Sequence, residues 1–134
     1  MWEIIKIEKV LLPTDGSIHA LKAAAYAVEV AKNFGSEVHL LNVMMPPDKR
    51  GDREDSWEIL NRTREVLDKS GVKVIVKDPI RGNPAETICN IAEKEKFDLI
   101  VIGSRGLSEI KAFFMGGVSD KVSHHAVCPV LIVR

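Results

Sequence analysis

Cysteine is scarce: Cys89 and Cys128 are the only two in 134 residues, and they lie in different segments. This excludes a disulfide-stapled secreted scaffold, and both are expected as free thiols. Charge of one sign is not in excess either, since nineteen Lys and Arg balance nineteen Asp and Glu. With no basic block, nothing draws the chain to nucleic acid or to an anionic membrane. No apolar run approaches the ~20 residues of a membrane span. The first residues, M-W-E-I-I-K-I-E-K, carry charges where a signal peptide needs an apolar core, so a cytoplasmic protein is expected.

What is present is a hydrophobic share of 46%, in a length suited to one domain with a real core. No linker, low-complexity tract or internal repeat divides it, so residues 1–134 are read as a single domain. Strand and helix signals alternate along the chain. Lys9 to Thr14 (K-V-L-L-P-T) is a nearly continuous apolar run that stops at Asp15-Gly16, as expected of a central parallel strand. Ile4, Ile5 and Ile7 are candidates to extend it. Ser17 is placed to cap a helix on which Ile18, Leu21, Ala24, Ala25, Val28 and Ala31 recur at three- and four-residue intervals. Gly35 is its stop.

Glu37 to Met44 is the second strand, closed by Pro46-Pro47. The charged stretch Asp48 to Asp55 is read as a solvated loop before a helix from about Ser56 to Lys69, with Trp57, Leu60, Val66 and Leu67 on its buried side. Val72 to Lys77 is the third strand. Asn83-Pro84-Ala85-Glu86 then combines a cap, a first-turn proline and a capping-box glutamate. The helix it starts is expected to reach Lys96, burying Ile88 and Ala92. Asp98 to Ile102 is the fourth strand, Val118 to Ala126 a helix and Pro129 to Val133 the fifth strand. Strands separated by helices make an α/β fold, a five-stranded parallel sheet with helices on both faces.

In such folds ligands lie beyond the carboxyl ends of the strands, where the strand order reverses. Asp15, Val43, Met44 and the loop from Gly103 converge there. That loop belongs to V-I-G-S-R-G-L-S-E-I-K-A-F-F-M-G-G-V-S, in which Gly103 and Gly106 are followed after nine residues by Gly116 and Gly117. Glycines between a strand and a helix bring unpaired N–H groups and a positive dipole end to an anion, phosphate above all. A tight turn with nothing bound uses the same residues.

Four segments, K-V-L-L-P-T-D-G-S, G-N-P-A-E-T-I, D-L-I-V-I-G-S-R-G-L and H-A-V-C-P-V-L-I-V, together resemble the universal stress protein family over nearly the whole chain. ATP-binding members carry Gly-x-x-Gly, nine residues, then Gly-Ser/Thr, and Gly103, Gly106 and Gly116 match that spacing. The resemblance implies a Rossmann-like sheet of the adenine nucleotide alpha hydrolase type, with strand order 3-2-1-4-5. It also implies ATP as ligand, with Mg²⁺ (or Mn²⁺) held mainly by the phosphates. Pro13 and Thr14 would line the nucleoside pocket, Asp15 would accept from ribose hydroxyls, and Val43 would sit beside adenine. Gly103 would admit the ribose. Gly106, Gly116, Gly117, Val118 and Ser119 would wrap the phosphates, with Arg105 placed to meet them. Asp15 has an alternative role as an Asx turn before the helix cap.

Gly117 is a departure, since it stands where the motif has Ser or Thr. Loss of that hydroxyl is expected to lower affinity by about one or two orders of magnitude. The expected function is a dimeric regulatory switch with at most slow ATP hydrolysis, because no P-loop or kinase signature is present. Two alternatives stand beside it: a nucleotide-free interaction module, and a slow ATPase or autophosphorylating protein with Ser104, Ser108 or Ser119 as acceptor. The resemblance also implies a homodimer paired through the edge strand Val130, Leu131, Ile132 and Val133. His124, His125 and Cys128 are too few and too divergent on a helix to read as a metal site. His19 is read as a surface helix residue and His39 as a polar strand position.

Overall fold

Lys9–Pro13 (β1) is apolar after its first residue, and it fills the middle of the sheet. In the computed structural model, which describes residues 4–105 and 117–134, β1 lies between Glu37–Leu41 (β2) and Leu99–Gly103 (β6). Val10 is opposite Val38 on one side and Leu99 on the other. Lys73–Val76 (β4) pairs with β2, and Val130–Val133 (β7) pairs with β6. The order is β4-β2-β1-β6-β7, all parallel. Counted along the chain these are the third, second, first, fourth and fifth strands, which is the expected order.

Because successive side chains of a strand face opposite ways, a sheet covered on both sides needs both sets apolar. Val10 and Leu12 enter a cluster with the helices Ile18–Phe34 (α1) and Asp52–Asp68 (α2). Leu11 enters a second cluster with Pro84–Lys94 (α3) and Gly117–His125 (α4). The helices thus cover both faces, two to each.

α1 is capped at both ends. Ala20 N donates to Ser17 Oγ at 3.2 Å, and Gly35, at φ 68°, closes the helix by donating to Ala31 O. Its buried face differs from the expected one. Ala20, Ala23, Ala24, Ala27, Val28 and Ala31 are buried, while Ile18, Leu21 and Ala25 are exposed. The alanines face the sheet because α1 lies against the end of β6, where a Cβ on Gly103 would come within 2.8 Å of the His19 carbonyl carbon.

α2 begins at Asp52, ahead of the expected start at Ser56. Asp52, Glu54 and Asp55 occupy its first turn, where carboxylates favour the positive end of the helix. Ser56, Leu60, Thr63 and Leu67 are buried, Trp57 is half-buried, and Val66 is exposed. The second expected strand is two: Asn42 separates β2 from Val43–Met44 (β3), which pairs with Ile80–Arg81 (β5) in a parallel ribbon of its own. Asn83 Oδ1 accepts from Glu86 N at 3.1 Å, and α3 stops at Lys94 rather than Lys96. Ile4 and Ile5 do not extend β1; both are exposed ahead of it. Among the described residues no helix is long and apolar enough to cross a membrane.

Candidate functional site

The chain runs outward from β1 through β2 to β4, then returns past β1 to β6 and β7. The order therefore reverses between β1 and β6, and a cavity of about 240 Å³ opens at their carboxyl ends. Pro13, Thr14 and Asp15 reach it from β1, and Val43 from β3. Gly103 and Arg105 reach it from β6, and Val118 and Ser119 from the first turn of α4. Eight residues singled out in the sequence thus meet at one place. Gly117 begins α4 but is not in the cavity wall. Gly106, Gly116 and Ser108 lie outside the described residues.

Sequence reading missed the rest of the wall. Asn42, Met45, Pro84 and Ile88 also line the cavity, beside Leu41 and Ile102. Asn42 had a signal, as the one amide in the apolar run V-H-L-L-N-V-M. Its Nδ2 donates to Thr14 O at 2.7 Å, and its Oδ1 accepts from Ser56 Oγ at 2.6 Å. This ties α2 to the loop after β1 through buried groups, where an unmade hydrogen bond would be costly.

The hydroxyl of Thr14 is committed within the protein. Thr63 Oγ1 donates to Ile59 O at 3.0 Å, so in the 3.1 Å contact between the two threonines the proton comes from Thr14. Thr14 Oγ1 in turn accepts from Gly16 N at 3.2 Å. The relay runs Gly16, Thr14, Thr63, Ile59; because Thr14 N donates to Leu41 O and Thr14 O accepts from Asn42, the methyl group is what Thr14 turns to a ligand. Asp15 Oδ1 accepts from Ser17 N at 2.9 Å, forming the Asx turn that leads into α1. Ser119 Oγ donates to Ser104 O at 2.7 Å, and Ser104 N donates to Val133 O at 2.7 Å. The start of α4 is thereby pinned to β6 and β7.

His19 is not the surface residue that its helix position suggested. It is half-buried, and its Nε2 lies 3.0 Å from Arg105 Nη2. His39 is buried as well, edge-on to Phe97 at 4.8 Å, with Nε2 2.9 Å from Glu37 Oε1. His39 and Lys73 together hold the Glu37 carboxyl below its ordinary range.

Burial pushes both thiols, Cys89 and Cys128, upward, which makes them poor nucleophiles. Among the described residues no three His, Cys, Asp or Glu side chains group as metal ligands. His124 pairs with Asp120 at 3.3 Å on the surface.

A doubly wound parallel sheet with a cleft at its switch point defines a class of α/β proteins that place small ligands there. Within that class, residues 6–134 match the Universal stress protein family, and the chain belongs to it. It is 34% identical over 140 residues to a universal stress protein of Methanocaldococcus jannaschii, covering 95% of this chain and 82% of the relative. Its fold is similar to that of a universal stress protein solved in complex with cAMP, at TM-score 0.78 and 24% identity, over 95% of this chain and 97% of the other. It is also similar to an Archaeoglobus fulgidus universal stress protein in complex with dAMP, at TM-score 0.77 and 23% identity, over 98% and 100%.

Proposed function

We propose that this protein is a regulatory module that binds an adenine nucleotide, ATP with Mg²⁺, in the cavity between β1 and β6. The observation that carries the reading is the convergence there of Asp15, Val43, Gly103, Arg105, Val118 and Ser119 from four separate elements. The complexes of cAMP and dAMP with proteins of this fold add support.

The residues fit such a ligand. Leu41, Met45, Ile88 and Ile102 offer an apolar wall to a base, and Val43 offers backbone groups to its edge. Asp15 supplies a carboxylate for ribose hydroxyls, with Pro13 and Thr14 beside it. Arg105 supplies a fixed cation for phosphate, and the first turn of α4, from Gly117 through Val118 to Ser119, brings the positive end of a helix. Gly106 and Gly116 complete the phosphate loop in this reading. Bound phosphates would carry most of the coordination of Mg²⁺, or of Mn²⁺ in its place. The volume, about 240 Å³, is close to the lower end of the ~300–1,000 Å³ range of small-molecule sites.

The nucleotide acts here as a ligand that shifts the population of surface conformations, and hydrolysis is slow at most. Autophosphorylation is the weaker reading for two of its acceptors, because Ser104 and Ser119 are both buried and the Ser119 hydroxyl donates to the Ser104 carbonyl. A second function, a nucleotide-free interaction module, is favoured by one observation: the hydroxyls of Thr14 and Ser119 both donate within the protein, and Gly117 has none. The homodimer belongs to the proposal too, paired through Val130, Leu131, Ile132 and Val133 on the outer edge of the sheet.

Calorimetric titration of nucleotide-stripped protein with ATP and Mg²⁺ tests the reading. Low-micromolar binding supports it. No heat and no thermal stabilisation at millimolar ATP would leave the interaction module.

A further inference from the structure

The side chain of Arg105 is not held by the cavity alone. Its Nη2 lies 3.0 Å from Nε2 of His19, in the first turn of α1. A guanidinium only donates and keeps its protons throughout the accessible pH range. Nε2 must therefore accept, and the neutral ring carries its proton on Nδ1. Among the described residues that Nδ1 is buried with no hydrogen-bond partner. The ring thus presents Nε2 to the arginine while its one donor finds no acceptor among them.

The origin of the ring is fixed as well. The His19 backbone is packed so tightly on Gly103 that a Cβ there would lie 2.8 Å from its carbonyl carbon. The helix turn that carries it is capped by Ser17. A rigid acceptor thus faces the one long cationic side chain that lines the cavity among the described residues.

We propose that His19 is a positioning residue for Arg105: neutral and protonated at Nδ1, it holds the guanidinium through Nε2 against the cavity wall, ready for the phosphates of a bound nucleotide. The proposal rests on the nucleotide reading for its functional part, whereas the pairing of the two side chains stands apart from it. His19 acts through Arg105 and touches no ligand itself. Its effect should therefore grow with the phosphate content of the ligand and be absent for the nucleoside.

Two measurements on the full chain test this. Long-range proton–nitrogen correlation spectra of isotope-labelled protein at about pH 8, above the ordinary histidine range, report the ring tautomer. The expected state is Nδ1–H, and finding Nε2–H overturns the pairing. Affinities for ATP and for adenosine are then compared for wild type, His19→Ala and His19→Gln, the glutamine oxygen standing where Nε2 stood. His19→Ala is expected to weaken ATP about three- to tenfold and leave adenosine unchanged, with His19→Gln restoring most of the ATP affinity. An equal loss for both ligands, no loss for either, or no rescue by glutamine would overturn the positioning role. If wild type binds neither ligand, the nucleotide reading fails and the functional part of the proposal with it, while the tautomer still decides the pairing.

Discussion

Gly103 and His19 touch through their backbones: a Cβ on Gly103 would stand 2.8 Å from the carbonyl carbon of His19 and 2.9 Å from its oxygen. The glycine that opens the motif is therefore required by the packing of α1 on β6 before any ligand is considered. Gly103→Ala forces the helix and the strand end apart. It is expected to lose about 1–3 kcal/mol of stability, read as a lower denaturation midpoint in the protein without nucleotide.

Gly117 is the opposite case, since a Cβ built there meets nothing within 4 Å among the described residues. Gly117→Ser should fold with an unchanged midpoint and place a hydroxyl where the family motif has one. An added hydrogen bond to a charged phosphate strengthens ATP binding about tenfold. Calorimetry on the variant checks this, and equal affinities would place the phosphates elsewhere.

Asp15 combines two roles that one substitution can separate. Asn keeps the oxygen that accepts from Ser17 N and removes the charge. Asp15→Asn should thus hold stability within about 0.5 kcal/mol and weaken ATP binding, whereas Asp15→Ala should lower both. Parallel denaturation and titration of the two variants distinguish the turn from the ligand contact.

Arg81 fastens the loop that carries Met45 to the cavity rim. Its guanidinium donates to Asp52 Oδ2 and to Met45 O, and it pairs with Asp48 at 2.6 Å. The hydrogen bond from Arg81, followed by that from Lys49 N, holds the Asp52 carboxyl to about 2. Because this lies below the unfolded value of about 3.9, the stabilisation is in place above about pH 4 and is lost as pH falls towards about 2. Hydrogen exchange at Ile80 and Gly82, whose amides bond to Asn42 O and Met44 O, should stay slow at neutral pH. Arg81→Gln should speed it there, with wild type catching up only in strong acid.

Pairing of two copies through β7 has a direct test in Leu131→Lys, on the outer strand of the sheet. Sedimentation should show monomer or aggregate. An intact dimer would move the interface to another face.

The sheet was legible because its strands are apolar in both side-chain sets, and K-V-L-L-P admits no other reading once helices flank it. The split at Asn42 was not legible. A single amide in an apolar run does not announce that the strand changes partners; the cause is the pair of bonds that Asn42 makes to Thr14 and Ser56, residues distant in sequence. The early start of α2 did have a signal in Asp52, Glu54 and Asp55, but their charge read as solvation rather than as a favoured first turn. At the site, Gly103 and Asp15, both singled out in the sequence, lie on the cavity wall. The partner of Arg105 was hidden because His19 and Arg105 meet only when α1 folds across β6.

The alanine face of α1 sets a ceiling on size rather than a floor on greasiness. At Ala23, Ala24 and Ala27, all fully enclosed, leucine is a comparably good helix former and more apolar, yet it has nowhere to go. Serine, small and able to bond back to a carbonyl one turn earlier, is the gentler replacement. A saturation scan of this helix would therefore rank substitutions by volume, and the steepest penalties would fall on the residues that hydrophobicity alone would favour.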